Sequence, residues 1–413
     1  MNSFINTYSS DSVREYNKST IFNLIRREGP ISRAGLTKIT RMSPTSTGRI
    51  VGNLIDEGFV REVGTKEGGL GRRATLVEVN PDGLLAFGIN IDVPHIHVGV
   101  ADLSGDIHTY KSYESPADLD VEKTLDIVVD GILEQFEQLE EKQQGRICGV
   151  GVTVPGHVIW QEGILDFSPQ LTWDTVPLKM KLQKRLRSES VYLENDVKAA
   201  ALAEGLYGAA VDASDFVVIR LGSGMGAAVV NNGELLRGKD NIIGELGHMI
   251  VEPDGELCDC GRRGCLQTFL CISGIEKRSR RSFRQTLADA RAGDETCAAI
   301  LKQTEQYMAM WTANLRNLYN PQKVLFYGKI FQEWPELIEA VREQTRNFEW
   351  NISGDRFTIQ LINFRQSKLE AESGDKEVVV QTAASQVFHD MLSNNLPHEQ
   401  TDRVKPFFSP YGF

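Results

Sequence analysis

The 413-residue chain has no apolar run of the length a bilayer requires, and a membrane-spanning helix is therefore not expected. Its opening, MNSFINTYSSDSVREYNKS, lacks the basic-then-apolar pattern of a secretion signal, which makes the cytoplasm the expected location. Low-complexity tracts are missing too, and 41% hydrophobic with 24% charged residues is the balance of globular domains. Cysteine is scarce and poorly spread for a disulfide framework. Of six, Cys258, Cys260 and Cys265 fall within eight residues, whereas Cys148, Cys271 and Cys297 stand apart. Such clustering points to a metal rather than to cross-links. The length exceeds one ordinary domain and suits two or three.

Positive charge is also short, the net being −11, which by itself argues against a nucleic-acid partner. The distribution reverses that argument locally. Residues 1–80 hold 12 Lys/Arg and 8 Asp/Glu, hence +4, leaving −15 for residues 81–413. The first 80 residues are the part able to approach phosphates.

Within them, Ile21, Phe22, Leu24 and Ile25 follow the capping residues Ser19 and Thr20 and stop at Gly29-Pro30, predicting a helix over 19–28. A second short helix is expected from Ser32 to about Arg41, with Leu36 and Ile39 inward. Ser43-Pro44 then starts a third, running to about Glu57, because Ser caps exposed N–H groups and Pro suits the first turn. Its apolar stripe reads as Ile50, Leu54 and Ile55. Ser43, Thr45, Ser46, Thr47, Arg49 and Asn53 fall on other faces, where such side chains reach base edges in a major groove. Strand-like Phe59–Val63 and Ala74–Val79 enclose GTKEGGLGRR, a glycine-rich wing whose Arg72 and Arg73 are expected at the DNA backbone or minor groove. Together these describe a winged helix-turn-helix that binds a double-stranded operator.

Beyond the turn Asn80-Pro81-Asp82-Gly83, β-type and helical runs alternate, predicting an α/β body of two sheet-and-helix lobes with binding where strand ends meet. One stretch carries the sharpest chemistry, GELGHMIVEPDGELCDCGRRGCLQT. His248, Cys258, Cys260 and Cys265 have the number and softness of ligands that structural Zn²⁺ takes in a closed tetrahedral site, and Gly255, Gly261 and Gly264 let the loop fold around an ion. The alternative, reduced core cysteines beside an unrelated histidine, fits poorly with the Gly, Asp and Arg around them.

These residues resemble the ROK family of repressors, open reading frames and kinases, and specifically its winged-helix sugar repressors. The resemblance runs through VREYNKSTIFNLIRREGPISRAGL, GGLGRRATLVEVN, GVGVTVPG, SPQLTW, ENDVKAAALAE, LGSGMGAAVV and GELGH…CDCGRRGC. It implies a winged helix-turn-helix over 1–80 followed by an actin-like ATPase/sugar-kinase fold. The first lobe would span 84–200 with a C-terminal helix 378–395, and the second, with the zinc loop and a dimerisation surface, 201–377. It further implies that a sugar or sugar phosphate is held by Gln170, Asn195, Asp196, Glu245, His248 and Gln267, with His248 also a metal ligand. The run Glu194-Asn195-Asp196 equally reads as a turn and helix cap.

Departures from the family pattern separate sensor from kinase. Where kinase relatives have Asp-Gly-Gly-Thr on the first hairpin, this chain has Asp92-Val93-Pro94-His95, replacing the close-approach glycine and hydroxyl. Paired glycines become Gly328-Lys329, and Gly-Ala-Ala becomes Thr382-Ala383-Ala384. Phosphoryl transfer depends on positioning, so no catalytic residue is assigned and Asp196 is expected to bind rather than catalyse. Gln267 stands where Glu is usual and Gln170 where Asn is frequent. Lys198, also at a frequent Asn position, reads either as a cation for an acidic sugar or as a solvated lysine. The expected protein is a homodimeric or homotetrameric, sugar-controlled repressor. A sugar kinase with an attached DNA-binding domain, or a repressor under a protein partner, are the alternatives.

Overall fold

The computed structural model describes residues 10–66, 74–350, 357–362 and 374–394. In chain order the elements are α1 (Ser10–Glu28), β1 (Ile31–Ser32), α2 (Arg33–Thr40), α3 (Pro44–Asp56), β2 (Val60–Lys66), β3 (Ala74–Val79), β4 (Leu85–Ile91), β5 (His95–Asp102), β6 (Ile107–Glu114), α4 (Val121–Glu137), α5 (Glu141–Gln144), β7 (Ile147–Val154), β8 (His157–Ile159), β9 (Ile164–Phe167), α6 (Leu178–Leu186) and β10 (Val191–Asn195). They continue with α7 (Asp196–Tyr207), β11 (Phe216–Leu221), β12 (Met225–Asn231), β13 (Glu234–Leu235), α8 (Gln267–Leu270), α9 (Ile272–Ser279), α10 (Phe283–Arg291), α11 (Glu295–Tyr319), β14 (Lys323–Tyr327), α12 (Lys329–Glu333), α13 (Leu337–Thr345), β15 (Thr358–Leu361) and α14 (Gly374–Asn394). The chain divides into two compact units, residues 1–196 with 365–413, and residues 197–364.

The first unit begins with three helices on the sheet β1-β3-β2. Ile21, Phe22, Ile25, Leu36, Val51, Leu54, Phe59 and Val77 are buried there, with the Phe22 ring edge-on to Phe59. α1 starts nine residues before the sequence expectation, so Ser19 and Thr20 are interior to the helix rather than at its N-terminus. Ser32 and Ser43 do cap, accepting from Gly35 N and Ser46 N respectively. Ile39, expected inward, is 55% exposed, because Leu36 alone turns α2 into this small core.

A five-stranded sheet follows in the same unit, ordered β10-β7-β4-β5-β6, with β10, β7 and β4 parallel and β5 and β6 antiparallel. α4 and α6 pack through Leu125, Val128, Ile132, Leu178, Leu182 and Leu186 into its core. α14 crosses β4 and β7 at places where only glycine fits. A Cβ on Gly88 would lie 1.9 Å from Val380 O, and one on Gly151 the same distance from Ala383 O. Thr382, Ala383 and Ala384, which stand where the kinase pattern has Gly-Ala-Ala, are buried in α14, with Ala383 and Ala384 backing these glycines.

The second unit repeats the sheet plan in the order β13-β12-β11-β14-β15, again with an antiparallel hairpin beside parallel strands. Its core joins Val217, Ile219 and Phe326 of the sheet to Trp311, Leu315, Leu337 and Val341 of the helices. Two sheets of identical strand order, each with helices packed on it, form the two lobes of the actin-like sugar-kinase fold. Among the described residues no helix is long and apolar enough to cross a membrane.

Candidate functional site

α3 presents the residues that the sequence assigned to DNA. Ser43, Thr45 and Arg49 are exposed, and Ser46 and Asn53 are half-buried. Thr47 is not on that face: it is fully buried, completing the stripe Thr47, Ile50, Val51 and Leu54 at spacings of three and four. Ile55, expected in that stripe, is only partly buried, and Val51 takes its place. Thr47 packs its β-branch inward as a valine would, and this removes it from base contact. Arg61 and Arg33, on or beside the wing strands, pair with Glu78 at 2.7 Å and Glu62 at 3.0 Å. Arg72 and Arg73 lie outside the described residues.

In the first unit Asn195 ends β10, where Asn195 pairs in register with Val154. Its amide donates to Gly156 O at 3.0 Å, which fixes the side chain against the turn after β7. Gly156 has φ +112 and a Cβ there would strike Phe167 O at 2.3 Å, so the glycine of VTVPG is required by close approach. Asp196 opens α7 and is half-buried. Gln170 is exposed, and its amide donates to Asp92 Oδ1 on the β4–β5 turn. Sequence reasoning did not foresee that pair, which joins side chains 78 positions apart.

In the second unit Glu245 is exposed and His248 half-buried within a short turn closed by His248 N to Glu245 O at 3.1 Å. The metal loop follows. Cys258 N bonds to Arg262 O at 2.8 Å and Gly261 N to Cys258 O at 2.9 Å, making a tight knuckle with Gly261 at φ +84. Bridges of Ile250 with Cys265 and Leu257 with Arg263 close it. His248 Nδ1 is 3.7 Å from Cys258 Sγ, Cys260 Sγ is 3.6 Å from Cys265 Sγ, and all four ligand atoms lie within 4.8 Å of one another. Zinc–sulfur bonds of about 2.3 Å in a tetrahedron set sulfurs about 3.8 Å apart, so the observed set matches a structural Zn²⁺ centre. Partial desolvation pushes the thiol of the exposed Cys260 up, yet hydrogen bonds from the backbone N–H and guanidinium of Arg262, and from the Cys258 and Cys265 thiols, bring it down to about 6. Cys265, buried beside the other sulfurs, is pushed up to about 12. A divalent cation removes that conflict by holding every sulfur as thiolate.

Gln267, at the head of α8, donates its amide to Cys258 Sγ at 3.2 Å. A glutamate in this place would set a carboxylate against a thiolate, so the amide suits this contact. Lys198 is not a solvated lysine: it is 5% exposed, and its ammonium donates to Asn241 O at 2.5 Å and Asn241 Oδ1 at 2.9 Å. The LGSGMG segment turns from β11 to β12 with Ser223 and Gly224 exposed, and open space beside Gly222 and Gly224.

The fold and the His/Cys₃ centre define a winged-helix protein built on a kinase-like body. The family model for ROK matches residues 86–374, and the chain belongs to the ROK family. It is 26% identical over 406 residues to the xylose repressor of Caldicellulosiruptor bescii, covering 92% of this chain and 97% of that protein. It is 27% identical over 346 residues to the DNA-binding transcriptional dual regulator NagC of Escherichia coli, covering 80% and 84%. Among solved structures it matches a ROK family transcriptional regulator described as a homologue of the E. coli MLC protein, with TM-score 0.71, 25% identity and 92% and 100% coverage. A ROK hexokinase from Thermus thermophilus shares the fold, with TM-score 0.59, 24% identity and 74% and 100% coverage.

Proposed function

We propose that this protein is a DNA-binding transcriptional repressor whose operator affinity is set by a sugar, acting in the cytoplasm where its operator lies. The carrying observation is the conjunction of a capped, exposed α3 with a ROK body, over a length that aligns almost end to end with a named xylose repressor. Residues 1–80 read DNA through Ser43, Thr45, Ser46, Arg49 and Asn53, with Arg72 and Arg73 on the wing. The body, 84–200 with 378–395 and 201–377, reads the sugar through Gln170, Asn195, Asp196, Glu245, His248 and Gln267. Two copies pair through the second lobe, giving operator half-sites about 34 Å apart.

The body is read as a sensor without catalysis. Asp92-Val93-Pro94 offers neither a close-approach glycine nor a hydroxyl, and Pro94 has no N–H to give a phosphate. Asp92 is also bonded to Gln170. The open glycine segment 222–224 favours the second reading, a sugar kinase carrying a DNA-binding domain. Fluorescence anisotropy on DNA from the protein's own upstream region, at fixed salt, tests the choice. Binding at about 10⁻⁸ M or tighter that one sugar abolishes supports the repressor. Absence of specific DNA binding, with ATP-dependent phosphorylation of a hexose lost in Asp196→Asn, supports the kinase.

A further inference from the structure

Between β13 and the metal loop, residues 238–240 and Ile242 are exposed, yet Asn241 is only 2% exposed. One residue of an outward loop is thus turned inward. Asn241 has φ +57, a left-handed conformation that Asn tolerates better than most side chains. What holds it is Lys198, two residues after Asp196 on α7, whose ammonium takes both the backbone and side-chain oxygens of Asn241. Arg237 Nη1 reaches the same side-chain oxygen at 3.4 Å, and Ile243 N bonds to Arg237 O at 3.3 Å, closing the loop on itself.

From Asn241 the chain runs directly to Glu245. Glu245 N bonds to Ile242 O at 3.1 Å, and Gly244, at φ +110, is seated where a Cβ would lie 2.1 Å from Ala227 O. Three residues after Glu245 comes the metal ligand His248. The segment therefore has two anchors, the His/Cys₃ ligand set at one end and a buried ammonium at the other, with the exposed Glu245 between them.

We propose that Lys198 is a positioning residue for effector recognition, fixing Asn241 and through it the carboxylate of Glu245. This rests on the reading of Glu245 as a sugar contact. With its ammonium donating to both oxygens of Asn241, Lys198 is assigned to the loop and not to an anionic effector. Its loss weakens a neutral sugar and the corresponding sugar phosphate by the same factor.

The test is calorimetric titration of the full-length, zinc-loaded protein with D-xylose, D-glucose, N-acetyl-D-glucosamine and the 6-phosphates of the two hexoses. For whichever of these bind, Lys198→Met and Asn241→Leu each weaken affinity by about tenfold. The double variant is no weaker than either single one, because both remove the same link. Asn241→Asp, which keeps the acceptors, stays within about twofold of the parent. Zinc content and sugar-free operator affinity stay unchanged in all of them, which a merely structural lesion would not allow. If Lys198→Met fails to fold, the contrast of Asn241→Leu with Asn241→Asp decides alone. Unchanged affinity in Asn241→Leu, or selective loss of the phosphates in Lys198→Met, overturns this inference and leaves the sensor reading standing. Failure of the parent protein to bind any of the sugars overturns the sensor reading, and the inference with it.

Discussion

The amide of Gln267 donates to Cys258 Sγ at 3.2 Å, so a residue expected to touch sugar also touches a ligand of the metal. Groups that bond to metal ligands tune affinity through charge as well as orientation. Gln267→Glu is therefore expected to weaken zinc binding by about 10- to 100-fold. Competition with a chromophoric chelator measures it, and equal zinc retention in the variant would count against the contact.

Metal removal should act locally before it acts globally. In the loop from Met249 to Cys265 the side chains of Met249, Ile250 and Leu257 are exposed and Val251 packs on the core, so its hold comes largely from the knuckle, two isolated bridges and the bonds of Val251 N and Glu252 N to Gly264 O. Chelation is expected to raise hydrogen exchange and proteolytic cutting across this loop, while the β11–β14 sheet stays protected. One zinc per chain by elemental analysis is the companion result.

Glu204 gives a pH signature. Burial pushes its carboxyl from an ordinary 4.5 up to about 7, only partly offset by the hydrogen bond from Ala209 N. The folded state thus holds a proton that the unfolded state releases, and stability falls as pH rises from about 4.5 through about 7. The full penalty above that window is about 3 kcal/mol. Glu204→Gln keeps the acceptor for Ala209 N, and should raise stability at pH 8 while changing little at pH 4.5. Denaturant melts of both proteins at the two pH values check the sign.

On α3 the prediction is a split between stability and DNA binding. Thr47 Oγ1 is buried without a hydrogen-bond partner, so Thr47→Val should stabilise by about 1 kcal/mol and leave operator affinity unchanged. Arg49→Ala should do the reverse, weakening binding with little change in melting. If Arg49 meets phosphate, the salt dependence of log K drops by about one unit of slope.

Gly151→Ala tests the seam between β7 and α14. The added methyl would meet Ala383 O at 1.9 Å, a backbone atom that a rotamer change cannot move. The helix must shift, and a loss of about 1–3 kcal/mol is expected in thermal or denaturant melts.

Much was readable from local pattern alone. The helix start at Ser32, the cap at Ser43, the turn at Asn80-Pro81, the strand and helix alternation and the His248–Cys265 ligand spacing depend on near neighbours, which sequence order preserves. The sequence determined the fold class and the metal chemistry for that reason. What it could not decide was the direction a side chain faces once distant segments close around it. Thr47 turned into the core, Ile39 turned out, and Thr382-Ala383-Ala384 became packing against Gly88 and Gly151. Lys198 found Asn241 43 positions away, and Gln170 found Asp92 at 78. Those outcomes follow from burial and hydrogen-bond satisfaction across the tertiary structure, where each polar group takes whichever partner the packed chain brings to it.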